Sequence, residues 1–151
     1  MIDSLTFMMG EFEAEFPTDR MYAKNHMWAE VSDEQVRFGF TAYAVRLLQD
    51  VYFLDWLVDA PSLIKISQEI GSIESKKAES ALFAPADGEL VTFNETLMED
   101  PSAINTDKYS GGWLFDMKIE NVDFLEPAAY LELLEGVWAK TQRTIKGQLN
   151  E

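Results

Sequence analysis

The chain has 151 residues, no cysteine, and 27 acidic against 12 basic side chains, for a formal charge of −15. That is the size of one ordinary domain with its own core; the charge repels nucleic acid and anionic membrane surfaces, and the missing cysteines exclude disulfides, thiol catalysis and thiolate metal sites. A hydrophobic fraction of 47% with ten Phe and four Trp excludes wholesale disorder, and no run approaches the roughly 18–20 apolar residues of a membrane span, so a soluble protein with a protein or small-molecule partner is expected.

Residues 1–20 set Phe7, Phe12 and Phe16 among Glu11, Glu13, Glu15 and Asp19. The pattern suits a frayed arm or an added edge strand, separated from the next segment by Pro17-Thr18. This start has no basic region, unlike a targeting presequence, so the cytoplasm is the expected compartment. From Tyr22 the chain reads as strands: Trp28 to Val31, a turn at Ser32-Asp33, then Val36 to Phe40 in strict alternation, together a hairpin. Thr41 is placed to cap a short helix whose apolar side is Ala44, Val45, Leu47 and Leu48, stopping by Gln49-Asp50. Val51 to Val58 has the length and aromatic content of a largely buried strand, closed by Ala60-Pro61-Ser62.

Short strands are expected at Leu63 to Ile66 and Ile70 to Glu74, then a polar turn with paired lysines, then Leu82 to Pro85. Asp87-Gly88 is a hairpin-turn signal from which Leu90 to Phe93 returns. Asp100-Pro101 suits the start of a single helical turn, and Trp113 to Ile119 reads as the last strand. Beyond it Tyr130, Leu134, Val137, Trp138, Thr141 and Ile145 recur at helical spacing, predicting a helix over residues 126–146 with Gly136 as a weak point costing about 1 kcal/mol. Many short strands with marginal helices argue for a compact, mainly β sandwich or barrel. The expected division is an acidic and aromatic extension over 1–20, a central domain over 21–125, and a C-terminal helix and tail over 126–151.

The candidate chemistry lies in the turn. Ile70 and Ile73 stand on one side and Leu82 and Phe83 on the other, while Ser75 to Ser80 holds no apolar side chain larger than alanine. Taken alone, a lysine there is ordinarily a solvating charge at a sheet end. The other candidates are weaker. His26 is the sole histidine and has no Gly-x-Ser-x-Gly context, so it reads as a packed strand-end residue. Glu99-Asp100 is a pairing that arises freely among 27 acids, and Gly111-Gly112 reads as a turn. No catalytic residue and no metal ligand is assigned. Asn94-Glu95-Thr96 matches a glycosylation acceptor by chance.

Glu74-Ser75-Lys76-Lys77-Ala78, followed by Pro85 and Gly88-Glu89, resembles the lipoyl-lysine segment of glycine cleavage system H proteins. The similarity extends over about residues 20–135 through Tyr22, Asn25-His26-Met27-Trp28, Gly39 to Ala44, Asn94 to Leu97 and Asp107 to Leu114. The resemblance implies the lipoyl or biotinyl fold, a flattened barrel of two small sheets (barrel-sandwich hybrid) with the modified lysine on an exposed hairpin. It implies a carrier that is not itself an enzyme, with lipoate on Lys77, which aligns through Glu-Ser-x-Lys-Ala; strand alternation also separates Lys77 from Lys76. Glu74, Ser75 and Ala78 are implied as features a ligase recognises, with Lys76 and Glu79 as neighbours.

The implied partners are a lipoate ligase or lipoyl transferase together with glycine decarboxylase, aminomethyltransferase and dihydrolipoyl dehydrogenase. His26, Met27 and Ala81 are implied to neighbour the arm. Met27 and Ala81 also depart from the pattern, since the family commonly has Glu and Asp there to hold an aminomethyl load. That departure leaves two alternatives open. One is an H-like lipoate-binding protein serving heterodisulfide-reductase-like proteins in sulfur oxidation; the other is a non-lipoylated interaction module of the same fold.

Overall fold

The computed structural model describes residues 3–121 and 123–149, with side chains described as far as Lys140. Its strands are β1 (Ser4–Met9), β2 (Phe12–Pro17), β3 (Met21–Tyr22), β4 (Met27–Ser32), β5 (Gln35–Phe40), β6 (Val51–Trp56), β7 (Ser62–Ile64), β8 (Glu69–Ser75), β9 (Glu79–Phe83), β10 (Gly88–Phe93) and β11 (Phe115–Lys118). Its helices are α1 (Ala42–Leu48), α2 (Thr96–Glu99), α3 (Ala103–Thr106) and α4 (Pro127–Leu149). Six strands form one sheet in the order β3-β4-β5-β11-β10-β7, and three form another in the order β6-β8-β9. Inward residues of both, among them Phe38, Ile70, Ile73, Leu82, Leu90, Phe115 and Met117, make a single buried core. This is the mainly β, two-sheet architecture expected from the sequence. No helix among the described residues is long and apolar enough to cross a membrane.

The β4–β5 hairpin follows its alternation, with Met27 opposite Phe40 and Ser32 opposite Gln35. Thr41 caps α1 as expected, its hydroxyl accepting from the Ala44 amide at 3.4 Å. The buried side of α1 is Ala42, Tyr43, Val45 and Leu48, whereas Leu47 is exposed. Two expectations for the strands from Val51 onward fail. Val51 to Val58 is not largely buried: the strand ends at Trp56, and Tyr52, Phe53 and Leu57 stand well exposed. A register shift between Val51 and Phe53 breaks the alternation, and β6 is an edge strand with one face in solvent. Nor does Asp87-Gly88 close a hairpin, because β10 pairs with β11 and β7 while β9 pairs with β8. There the chain crosses from one sheet to the other, and Gly88 is needed for closeness: a Cβ at that position would meet the Lys118 carbonyl oxygen of β11.

The first twenty residues form neither a frayed arm nor an edge strand of the main sheets. β1 and β2 pair as a separate hairpin through the turn at Gly10, whose φ is +67°. Met9, Ala14 and Phe16 from it join Tyr22, Trp28, Tyr43, Tyr130 and Leu134 in a second core. Tyr22 and Tyr130 stack at 4.8 Å with ring planes 8° apart, and Phe16 meets Tyr130 edge-on at 5.5 Å. α4 starts one residue after the expected 126 and continues past 146 to Leu149. Tyr130 and Leu134 are its fully buried anchors, and Val137 and Trp138 are half-buried against the same core; Thr141 and Ile145 lie beyond the described side chains. Asn94 is 6% exposed and donates to the carbonyls of Gly111 and Trp113, so it fastens the glycine turn.

Candidate functional site

Lys76 and Lys77 are the two central residues of the turn joining β8 to β9. The Ser75 amide donates to the Ala78 carbonyl at 2.9 Å, and Glu74 faces Glu79 as the last cross-strand pair. Ser75 is buried, and its hydroxyl lies 3.2 Å from both the carbonyl and the amide of Ala78, so one short side chain closes the turn. Both lysines are exposed. Because they are turn residues outside the ladder, strand alternation does not separate them, and the choice of Lys77 rests on the sequence pattern around it.

The turn is also tied from outside. The Lys76 amide donates to the Asp50 carbonyl at 2.8 Å, in the link between α1 and β6. Asn105 in α3 holds that link on both sides of Asp50: its Nδ2 donates to the Gln49 carbonyl at 2.6 Å, and its Oδ1 accepts from the Val51 amide at 2.9 Å. The lysines are therefore displayed on a fixed base. Glu74 and Glu79, as like charges directly opposed, cost the hairpin a few tenths of a kcal/mol or so.

β9 is an edge strand, and along it runs a cleft of about 320 Å³. One wall is Ala78 to Phe83, the other is Asn25, His26, Met27, Ala44 and Leu47, and Phe40, Leu48 and Ile73 complete the lining. Its volume is in the range of small-molecule sites. Glu79 is the one carboxylate in this lining. Of the acids near this end of the sequence pattern, Glu30 instead lies beside Arg20, 3.8 Å from its guanidinium. Asn25 bridges the walls by donating from Nδ2 to the Phe83 carbonyl at 3.0 Å, and its buried Oδ1 has no donor among the described residues.

His26, Met27 and Ala81 thus lie around one cleft whose rim begins at Ala78, next to Lys77. His26 sits in the turn before β4 at a φ of +69°. Its Nδ1 is 2.9 Å from the Tyr130 hydroxyl, which is 3.0 Å from the Thr41 hydroxyl. The His26 ring and the Tyr130 and Thr41 hydroxyls thus form one hydrogen-bonded chain. Burial pushes the His26 pKa down to about 4, so the ring is neutral at pH 7. The same burial holds the Tyr130 hydroxyl protonated throughout the ordinary range. Met27 is 2% exposed.

Sequence reasoning did not find Asn25, Asp50, Asn105 or Tyr130 as parts of the site. Asp50 acts through its main chain, and an isolated Asn in a helical turn carries no mark of what it bonds. Only Asn25 had a local signal, as neighbour of His26 in a short polar run between strands.

The model of the family described as glycine cleavage H-protein matches residues 20–135. The glycine cleavage system H protein of Methylacidiphilum infernorum is 38% identical over 123 residues, covering 79% of this chain and 95% of that protein. The one from Thermobifida fusca is 34% identical over 122 residues, covering 80% and 96%. The crystal structure of a glycine cleavage system H protein from Mycobacterium marinum superposes with a TM-score of 0.69 at 34% identity, covering 76% of this chain and 95% of the other. β1, β2 and the distal part of α4 fall outside the family match. With its two-sheet fold and lysine turn in place and each of these relatives covered almost end to end, the chain belongs to the glycine cleavage H-protein family, whose members are lipoyl carriers working with partner enzymes rather than enzymes themselves.

Proposed function

We propose that Lys77 is the attachment point for lipoate and that the chain presents it to several partners in turn. The observation that carries this reading is the pairing of an exposed lysine turn, fixed through Ser75 and the Asp50 carbonyl, with an apolar cleft opening at the adjacent Ala78. The residues fit the group: the lysine is accessible to a modifying enzyme, and the cleft beside it offers aliphatic walls. Lipoate joined by an amide bond to the lysine nitrogen would supply a reducible dithiolane that partner enzymes load and unload. Glu74, Ser75 and Ala78 shape the turn a lipoate ligase or lipoyl transferase reads. His26, neutral and held by Tyr130, keeps positive charge out of the cleft, while Leu47 and Leu48 of α1 exclude water from its inner side.

Within the family role, the expected partners are glycine decarboxylase, aminomethyltransferase and dihydrolipoyl dehydrogenase. One observation favours a second reading: Met27 and Ala81 put an uncharged side chain on each wall of the cleft, which suits a load without an amine, as in a lipoate-binding protein of a heterodisulfide-reductase-like system. Intact mass and peptide mapping after expression with lipoate and a ligase test the central claim. Lys77→Arg should abolish the added mass and Lys76→Arg should keep it. An unmodified protein under conditions that modify a control carrier would leave a non-carrier interaction module as the better reading.

A further inference from the structure

We infer that a groove at the end of the fold away from the lysine turn is a docking surface for a protein segment that combines apolar and cationic side chains. The groove has a volume of about 740 Å³ and lies among the β7 end, the Pro85–Asp87 crossover, the β11 end and the β4–β5 turn. The β4–β5 hairpin defines its position. In β4–β5, Met27 and Phe40 border the lysine-side cleft while Glu34 in the turn borders the groove. Five residue steps of strand separate them, roughly 17 Å. A partner seated in the groove would leave the lysine turn uncovered, and the inference stands whether or not Lys77 is modified.

Two features identify the occupant. First, the apolar part is displayed and fixed: Leu63 is 82% exposed and Ile66 59%, the former being the most exposed large apolar side chain among the described residues. The Ile66 turn is built rather than loose, since the Ile66 amide donates to Asp87 Oδ1 at 2.7 Å, the Lys65 amide to Gln68 Oε1 at 3.0 Å, and the Ser67 amide to the Ala84 carbonyl at 2.9 Å. Little ordering entropy remains to be lost on contact. Second, the rim is acidic: Glu34, Asp87, Glu89, Glu120 and Asp123 against Lys118 alone. That excess selects a partner with Lys or Arg flanking its apolar residues. It disfavours a second copy of this chain, because a two-fold contact would bring the same rim against itself, and it disfavours nucleic acid and anionic membranes.

The test uses the full isotope-labelled chain and a short peptide alternating Leu and Lys, with its Leu and Glu counterpart as control. NMR titration should move the amides of Leu63, Ile66 and Glu89 and leave Lys76 to Ala78 in place, and the glutamate peptide should not bind. Leu63→Ser with Ile66→Ser, exposed positions that leave the fold intact, should weaken binding at least about tenfold at unchanged charge. Glu89→Gln with Glu120→Gln should weaken it too and flatten its dependence on salt. The inference is overturned by absence of binding, by affinity that survives loss of both apolar side chains, by shifts spread evenly over other acidic surfaces, or by self-association that consumes the Leu63 and Ile66 signals.

Discussion

His26 Nδ1 lies 2.9 Å from the Tyr130 hydroxyl, so a side chain lining the cleft beside the lysine turn is bonded to the C-terminal helix. Burial sets the sign of its effect on stability. The His26 pKa is drawn down to about 4 in the folded chain, against about 6.5 in an unfolded one. Between those values the unfolded state binds more protons, so this contribution to stability is complete above about pH 6.5 and is lost as the pH falls toward 4. The loss is on the order of 1–3 kcal/mol. The chain has one histidine, so its Cε1 proton should titrate as a single resonance with a midpoint near 4. His26→Gln should flatten the stability profile between pH 4 and 6.5 relative to wild type; a midpoint near 6.5 would show that the ring is solvated.

Asn105 governs the base of the lysine turn without touching it. Asn105→Ala removes two side-chain bonds, to Gln49 and Val51, that flank the Asp50 carbonyl accepting from Lys76. A cost of about 1–3 kcal/mol is expected. Amide exchange should accelerate more at Lys76 than at Ile73, which lies within β8 and pairs on both sides. Equal acceleration at both would mean that the substitution acts only on global stability.

The β1–β2 hairpin lies before the matched residues but supplies part of the second core. Phe16 is fully buried and edge-on to Tyr130. Phe16→Ala should cost about 3–5 kcal/mol, and a double-substitution cycle with Tyr130→Leu should reveal a coupling of about 0.5–1.5 kcal/mol. Truncation before Glu126 removes Tyr130 and Leu134 and should lower the melting temperature distinctly. Zero coupling in the cycle would mean that the hairpin and α4 pack independently.

Much of this architecture was legible because local rules and tertiary context agree. Thr41 caps α1, the β4–β5 alternation sets its register, and the Tyr130–Leu134 spacing marks the buried side of α4. The failures share one cause. Tyr52 and Phe53 look like core residues in a sequence window, and only the edge position of β6 puts them in water. Asp87-Gly88 carries a hairpin's residues yet serves a crossing between sheets, where the close approach of Lys118 decides. The cleft was foreshadowed by the residues at 26, 27 and 81 through the family pattern, but the second wall formed by Leu47 and the tie through Asn105 depend on contacts that no local spacing encodes.

The load is the last expectation, and the structure alters how it should be tested. A carried group with a protonated amine gains about 1.5–3 kcal/mol from a charge-assisted bond to a nearby carboxylate. In this cleft Met27 and Ala81 offer none, Glu30 belongs to the Arg20 cluster, and Glu79 at the exposed rim is the one acid of the lining. The lipoylated chain should therefore support exchange of the glycine carboxyl with bicarbonate poorly beside a control H protein, and Glu79→Gln should reduce what remains. Restoring both acids is not an even trial. Met27 is 2% exposed and follows a neutral His26 in the chain, so Met27→Glu buries an unpaired carboxylate and should destabilise the fold by several kcal/mol. Ala81 is partly exposed on the edge strand, so Ala81→Asp should fold normally and is the cleaner substitution. A longer lifetime of the loaded protein in Ala81→Asp, with unchanged melting temperature, is the expected outcome. Exchange and lifetime in the unsubstituted protein equal to those of the control would show that Glu79 alone suffices.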